Sequence, residues 1–258
     1  MPTPGFLASR ADLWRGWGFV FRAISVIRRD RPLRRLALLA SALTFLILAA
    51  LLTGSIPASR AVIESLWSKP ANGFLAFGWH AVRAVTFLLF FGVTAQTLPL
   101  LLLAPLHDAL SEATERAVGR PIAVRQTWLR GAMTALAHTA LRIATYLFGL
   151  LALLPVVFIP FAGAALWGVL GLLWTFAWLS AEYVDIPLTR HGHPAQRIRQ
   201  LLRTRPWLCM SFGSAVYVLL WLPLLNLFLV PLAVVGGTLL YVETLAPGAD
   251  STQAQLDA

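Results

Sequence analysis

The sequence predicts an all-α, polytopic membrane protein with two spanning helices, Pro-interrupted intramembrane helical hairpins and an amphipathic N-terminal helix. Three observations carry this reading. Of 258 residues, 58% are hydrophobic and only 12% charged. That is about half the ~25% charge of soluble domains and too little to clothe a chain of this size in polar surface. The apolar residues are gathered into long runs at 36–53, 85–103, 143–181 and 207–242, the signature of helices that meet lipid. The basic residues lie between these runs and not within them. A disordered chain is excluded by the hydrophobicity. The single Cys209 excludes an internal disulfide framework and a cysteine-built zinc or iron–sulfur site.

Lys and Arg number 21 against 11 Asp and Glu, a net charge of +10, and Lys69 is the only Lys. A basic balance can indicate nucleic acid, but charges placed between apolar runs indicate topology, and no nucleic-acid partner is expected. The first 35 residues hold eight Arg against Asp12 and Asp30. The positive-inside rule puts this end, and with an even number of crossings both ends, in the cytoplasm of a bacterial-type inner membrane. No secretory signal is read, since the first apolar run begins 35 residues in. Residues 1–243 are expected to form one integral membrane domain. Residues 244–258, with Asp250 and Asp257, are expected to form a short, acidic, disordered tail.

Taken in order, residues 5–30 place Phe6, Leu13, Trp14, Trp17, Phe21 and Ile24 against Arg10, Arg15 and Arg22 at helical spacing. This predicts an amphipathic helix on the cytoplasmic leaflet. The run 36–53 reaches ~27 Å at ~1.5 Å per residue, enough for a span, and Gly54 to Pro57 is expected to end it. The run 85–103 returns the chain. Asp108, Glu112 and Glu115 then share a helical face, with Glu112 and Arg116 as an i,i+4 pair. Gly119-Arg120-Pro121 breaks that helix and another is expected from about Val124. The last two runs are interrupted, by Pro155 and Pro160 with Gly163, and by Pro223 and Pro231 with Asn226. Proline removes a backbone donor, so each run reads as two pieces folded at its middle, with a basic cytoplasmic loop at 186–206 between them. A weak repeat relates Pro160-Phe-Ala-Gly-Ala-Ala-Leu to Pro231-Leu-Ala-Val-Val-Gly-Gly. Broken apolar segments in matching positions either mark a transport site or only pack together.

Several side chains are candidates for chemistry. In Arg28-Arg29-Asp30-Arg31-Pro32-Leu33-Arg34-Arg35, Asp30 is a good N-cap and Pro32 suits a first helical turn. Arg34 and Arg35 then lie where the helix dipole already disfavours cations. Either they serve a tetrahedral dianion, or they set topology and bind lipid phosphate. Asn226 either donates to an anion or caps a half-helix. Gln96, with Thr94 and Thr97, either lines a pore or bonds a neighbouring helix. Arg83 snorkels at the outer end of its span. Glu182 and Asp185 either pair with Arg or mark a pathway entrance. His191 and His193 are read as a solvated loop before a metal pair. No metal site, cofactor, nucleotide-binding loop or catalytic set is read, so no enzyme or ATPase is expected.

Other stretches carry a resemblance. Arg199-Gln-Leu-Leu-Arg203-Thr-Arg205, Ser211-Phe-Gly213, and Leu222-Pro-Leu-Leu-Asn226 running on to Pro231 and Thr238 closely resemble the CysZ family of sulfate permeases. That family sits in a wider group that includes the etoposide-induced membrane proteins of eukaryotes. Arg15-Gly16-Trp17, Pro32-Leu33-Arg34-Arg35, Ala104-Pro105 to Glu112, Leu154-Pro155 to Gly163, and Glu182-Tyr183-Val-Asp185-Ile-Pro187 resemble further family segments in the same order. The resemblance covers most of residues 13–243. It implies two spans with intramembrane hairpins, a homo-oligomer, and sulfate uptake that feeds cysteine synthesis. It places sulfate contact at a Gly-Leu-Arg-Arg-like motif, which matches onto Leu33, Arg34 and Arg35, with Pro32 in the glycine position. The expected function is a sulfate or oxyanion permease, passive or ion-coupled. The alternative is a membrane scaffold of the same fold that binds anionic phospholipid or partner proteins.

Overall fold

The computed structural model describes residues 6–68, 70, 72–119, 144–193, 196–220 and 223–245. Among these the fold is entirely helical, without strands. The helices are α1 (Phe6–Arg29), α2 (Arg31–Leu66), α3 (Gly73–Ala117), α4 (144–153), α5 (Gly163–Arg190), α6 (Gln196–Thr204), α7 (Pro206–Leu220) and α8 (Pro223–Thr244). Among the described residues three stretches are long and apolar enough to cross a membrane: α2, the Gly73–Ala95 part of α3, and α5. Apart from the turn at 154–162, the four apolar runs are α-helical wherever they are described. The helix expected from Val124 lies outside the described residues.

The chain forms two compact units. The smaller, Ala42–Ala104, holds most of α2 and α3. The Trp79 indole donates to the carbonyl of Trp67 (2.9 Å) and ties the start of α3 to the chain leaving α2. Phe45, Leu46, Phe74, Phe77, Leu88 and Val93 face outward, as lipid-facing helices require and soluble ones avoid. Proline does not end these helices. Pro57 lies inside α2 and Pro99 inside α3, so α2 runs 36 residues and not the 18 of its apolar run. A missing N–H removes one hydrogen bond, and neighbouring turns keep the helix going. At ~54 Å, α2 is longer than the ~30 Å hydrocarbon core.

The larger unit, Met1–Ser41 with Pro105–Ala258, holds the core. Leu33, Leu110, Leu188, Phe212, Val234 and Tyr241 are at its centre. α1 buries Phe19, Val20 and Ala23 here. It is thus a core helix on one face, while Trp14 and Phe21 stay exposed on another. Close approach fixes the helix pairs. A Cβ on Gly16 would come within 2.6 Å of the Phe212 backbone, and one on Gly213 within 1.8 Å of the Phe176 carbonyl. The Trp17 indole donates to Ser214 Oγ (3.2 Å), and Thr238 Oγ1 to Ser111 Oγ (2.9 Å). Small residues and short hydroxyl bonds are what hold helices together where water offers no hydrophobic drive.

The third apolar run folds at its middle, as its prolines predict. Leu154–Phe158 is a 3₁₀ turn and Phe161 takes a positive φ of 65°. Gly163 follows, where a Cβ would meet the Val157 carbonyl at 2.3 Å. In the fourth run α7 is described to Leu220 and α8 from Pro223, and α8 continues through Pro231. The 186–206 segment is not a loop. It holds the last turn of α5, a His191–His193 bend and the amphipathic α6, which buries Ile198 and Leu201. Its arginines alternate with apolar residues at helical spacing, so charge density alone misread it as loop.

Candidate functional site

The arginine-rich junction is built by one residue. Asp30 stands alone between α1 and α2. Its N–H donates to the Val26 carbonyl (3.0 Å), its carbonyl accepts the Arg34 N–H (3.0 Å), and its Oδ1 accepts the Leu33 N–H (2.8 Å). This is the N-cap the sequence predicts. It also occupies the amides of Leu33 and Arg34, and Pro32 has none to offer. Any anion here therefore meets guanidinium groups before backbone.

Leu33 is fully buried, with Ala37 and Ala40 following it into the core. At ~100° per residue, Arg31, Arg34 and Arg35 fall in a ~100° arc on the opposite side of the same turn. All three are exposed, as are Arg28 and Arg29. Among the described residues none of the five is paired with a carboxylate side chain. Three like charges at i, i+3 and i+4 repel one another, and the positive helix end opposes them further. An anchored turn that presents unneutralised guanidiniums is suited to a multivalent anion.

The other predicted residues lie apart in sequence and role. Glu182 and Asp185 are both on α5, Asp185 buried, and both are engaged by partners in the protein. Gln96 falls within α3 and Asn226 within α8, but their side chains lie outside the described residues.

A second constellation was missed. Glu115, 1% exposed, pairs with Arg190 and lies 3.1 Å from His191 Nε2 through both carboxylate oxygens. Arg190 also donates to the Asp108 carbonyl (2.8 Å). The rings of His191, His193 and Tyr241 form a triangle, with centroids 6.1, 5.5 and 6.4 Å apart. His191 is thus a buried-carboxylate partner, and for His191 the reading as a solvated loop side chain is replaced. Burial, with Arg197 and His191 nearby, pushes His193 below its usual imidazole range. Burial raises the Asp108 carboxyl, against the pull of Arg190. The signal was present in the shared face of Asp108, Glu112 and Glu115, but 75 residues separate Glu115 from Arg190.

Together these features define a multi-pass membrane protein, all-helical among the described residues, with a solvent-facing cationic turn and a buried ion-pair cluster. Residues 19–231 match the family described as Sulfate transporter CysZ/Etoposide-induced protein 2.4. The proteins named Sulfate transporter CysZ of Salmonella paratyphi A, Salmonella enteritidis and Salmonella typhi are each 31% identical over 175 residues, 66% of this chain and 68% of theirs. The chain belongs to that family.

Proposed function

We propose that this protein is a sulfate permease of the bacterial inner membrane, supplying sulfate for cysteine synthesis as a homo-oligomer without an ATPase of its own. Flux is passive or ion-coupled. Both chain ends lie in the cytoplasm. α2 and α3 cross the bilayer, and the α4–α5 and α7–α8 pairs are intramembrane hairpins; α7, at 15 residues and ~22 Å, falls short of a full span. Leu33, Arg34 and Arg35 form the sulfate site, with Leu33 as the buried anchor and the two guanidiniums as ligands. Gln96, Asn226, Glu182 and Asp185 line the route.

The observation that carries this reading is the exposed, unneutralised arginine patch on a turn fixed by Asp30 and Leu33, in a chain whose relatives are named sulfate transporters. The test is labelled-sulfate uptake into proteoliposomes, with phosphate and sulfite as competitors. Saturable uptake is expected, lost in the Arg34→Ala/Arg35→Ala double variant while the helical content is retained. Uptake unchanged in that variant would refute the site. No uptake from correctly inserted parent protein would refute the permease and favour a lipid-binding scaffold.

A further inference from the structure

A cleft of about 360 Å³ opens where α1 meets the end of α8, lined by Arg15, Gly18, Phe19, Arg22 and Glu243. Arg15 and Arg22 are seven residues apart, two turns or ~10 Å along the helix, on one stripe. Gly18 lies midway between them and leaves the gap that both guanidiniums can reach across. The Arg22 guanidinium pairs with Glu243 and sits 5.7 Å from the centre of the Phe19 ring. Arg15 is half-buried and, among the described residues, has no hydrogen-bond or ion-pair partner. A half-buried cation without a counter-charge beside an open cleft calls for an anionic group. The same stripe continues to Arg29.

We propose that this cleft binds the head group of an aminophospholipid, with the phosphodiester between Arg15 and Arg22 and the ammonium on Glu243. Three observations select that ligand. The cleft offers two positive groups and one negative, so it suits a phosphate and an ammonium on one short linker better than a second anion, which Glu243 would repel. Its volume lies at the low end of the ~300–1,000 Å³ of small-molecule sites, right for a head group alone. The stripe beside it on α1 carries Trp14 at 83% exposure and Phe21 at 62%; these positions fall within ~100° of Gly18 around the helix. Exposed aromatics next to a polar cleft accommodate acyl chains beneath a bound head group, whereas a soluble zwitterion would leave them in water. The Arg22–Glu243 pair is solvent-accessible, and such pairs are held weakly. Binding exchanges it for one contact at each end of the ligand. This site is separate from the Arg34 and Arg35 turn and does not depend on sulfate transport.

The test is native mass spectrometry of the detergent-purified full chain titrated with phosphatidylethanolamine, phosphatidylglycerol and phosphatidylcholine. Phosphatidylethanolamine is expected to bind about tenfold tighter than the other two, the discrimination of one charge-assisted hydrogen bond. Phosphatidylglycerol lacks the ammonium, and the quaternary nitrogen of phosphatidylcholine has no N–H to donate. Glu243→Gln is expected to abolish the preference for phosphatidylethanolamine over phosphatidylglycerol while phosphate-dependent binding remains. Gly18→Trp sets an indole at the cleft from a position where a Cβ meets no atom within 4 Å, and is expected to remove binding of all three while the circular-dichroism spectrum and melting temperature stay those of the parent. Equal binding of the three lipids by the parent, a preference for phosphatidylglycerol, or undiminished binding in Gly18→Trp would each overturn the proposal.

Discussion

Removing the Glu115 side chain tests the buried cluster most directly. Glu115 is 1% exposed and is held by Arg190, itself 10% exposed, and by His191. In Glu115→Ala the Arg190 guanidinium stays buried with its counter-charge gone, and among the described residues only the Asp108 carbonyl remains as an acceptor. Breaking one side of a buried pair costs about 3–5 kcal/mol, because the surviving charge is neither hydrated nor compensated. Some relaxation of Arg190 toward solvent would place the loss at the lower end. For a chain of this size that is a melting-temperature fall of roughly 6–20 °C. The assay is thermal unfolding of the detergent-solubilised protein followed by circular dichroism. Glu115→Gln keeps an acceptor for His191 and Arg190 and is expected to lose less. A Glu115→Leu/Arg190→Leu double variant removes both charges and is expected to regain more than half of the loss, since apolar replacement of a buried pair is close to neutral. If Glu115→Ala melts within about 1 kcal/mol of the parent, or if the double variant is as unstable as the single, the cluster does not hold these helices in the way argued.

Two further predictions follow the same geometry. Gly213→Ala sets a Cβ 1.8 Å from the Phe176 carbonyl, so α5 and α7 must separate; it is expected to destabilise by ~1–3 kcal/mol, whereas Gly92→Ala, with open space around it, is expected to change the melting temperature little. His193 has its pKa lowered below the ordinary 6.5 by burial first, then Arg197 and His191, within a group that also includes Arg190, Glu115 and Tyr241. A lowered imidazole pKa means the fold prefers the neutral ring, so stability is lost as pH falls through 6.5 toward the folded value. Melting temperatures measured at pH 7.5 and 5.5 should therefore fall more steeply in the parent than in His193→Gln; equal slopes would remove His193 from the account.

The family resemblance and the packing turn out to share residues. Gly16, Trp17, Gly213 and Thr238 carry the sequence likeness and also make the close helix contacts. Their identity is tied to geometry: a residue without a side chain, or with a short hydroxyl, is what two backbones in near contact permit. The Leu33-Arg34-Arg35 turn is different. Only Leu33 is fixed by packing, and among the described residues the exposed arginine side chains make no ion pair with a carboxylate.

Composition and the apolar runs by themselves determined an all-helical membrane chain, because a bilayer accepts only backbones that satisfy their own hydrogen bonds. The Asp30 cap and the fold at Pro155 to Gly163 were also legible, since both are local: each needs only the dihedral and hydrogen-bond chemistry of a few neighbouring residues. Proline at 57 and 231 was not decisive, because a helix supported on either side survives one lost bond. The burial of Glu115 with Arg190 and His191, the helical state of 196–204 and the cleft between α1 and α8 were settled only by tertiary structure. Each depends on side chains far apart in the chain, and no local rule states which distant face will come to lie against which.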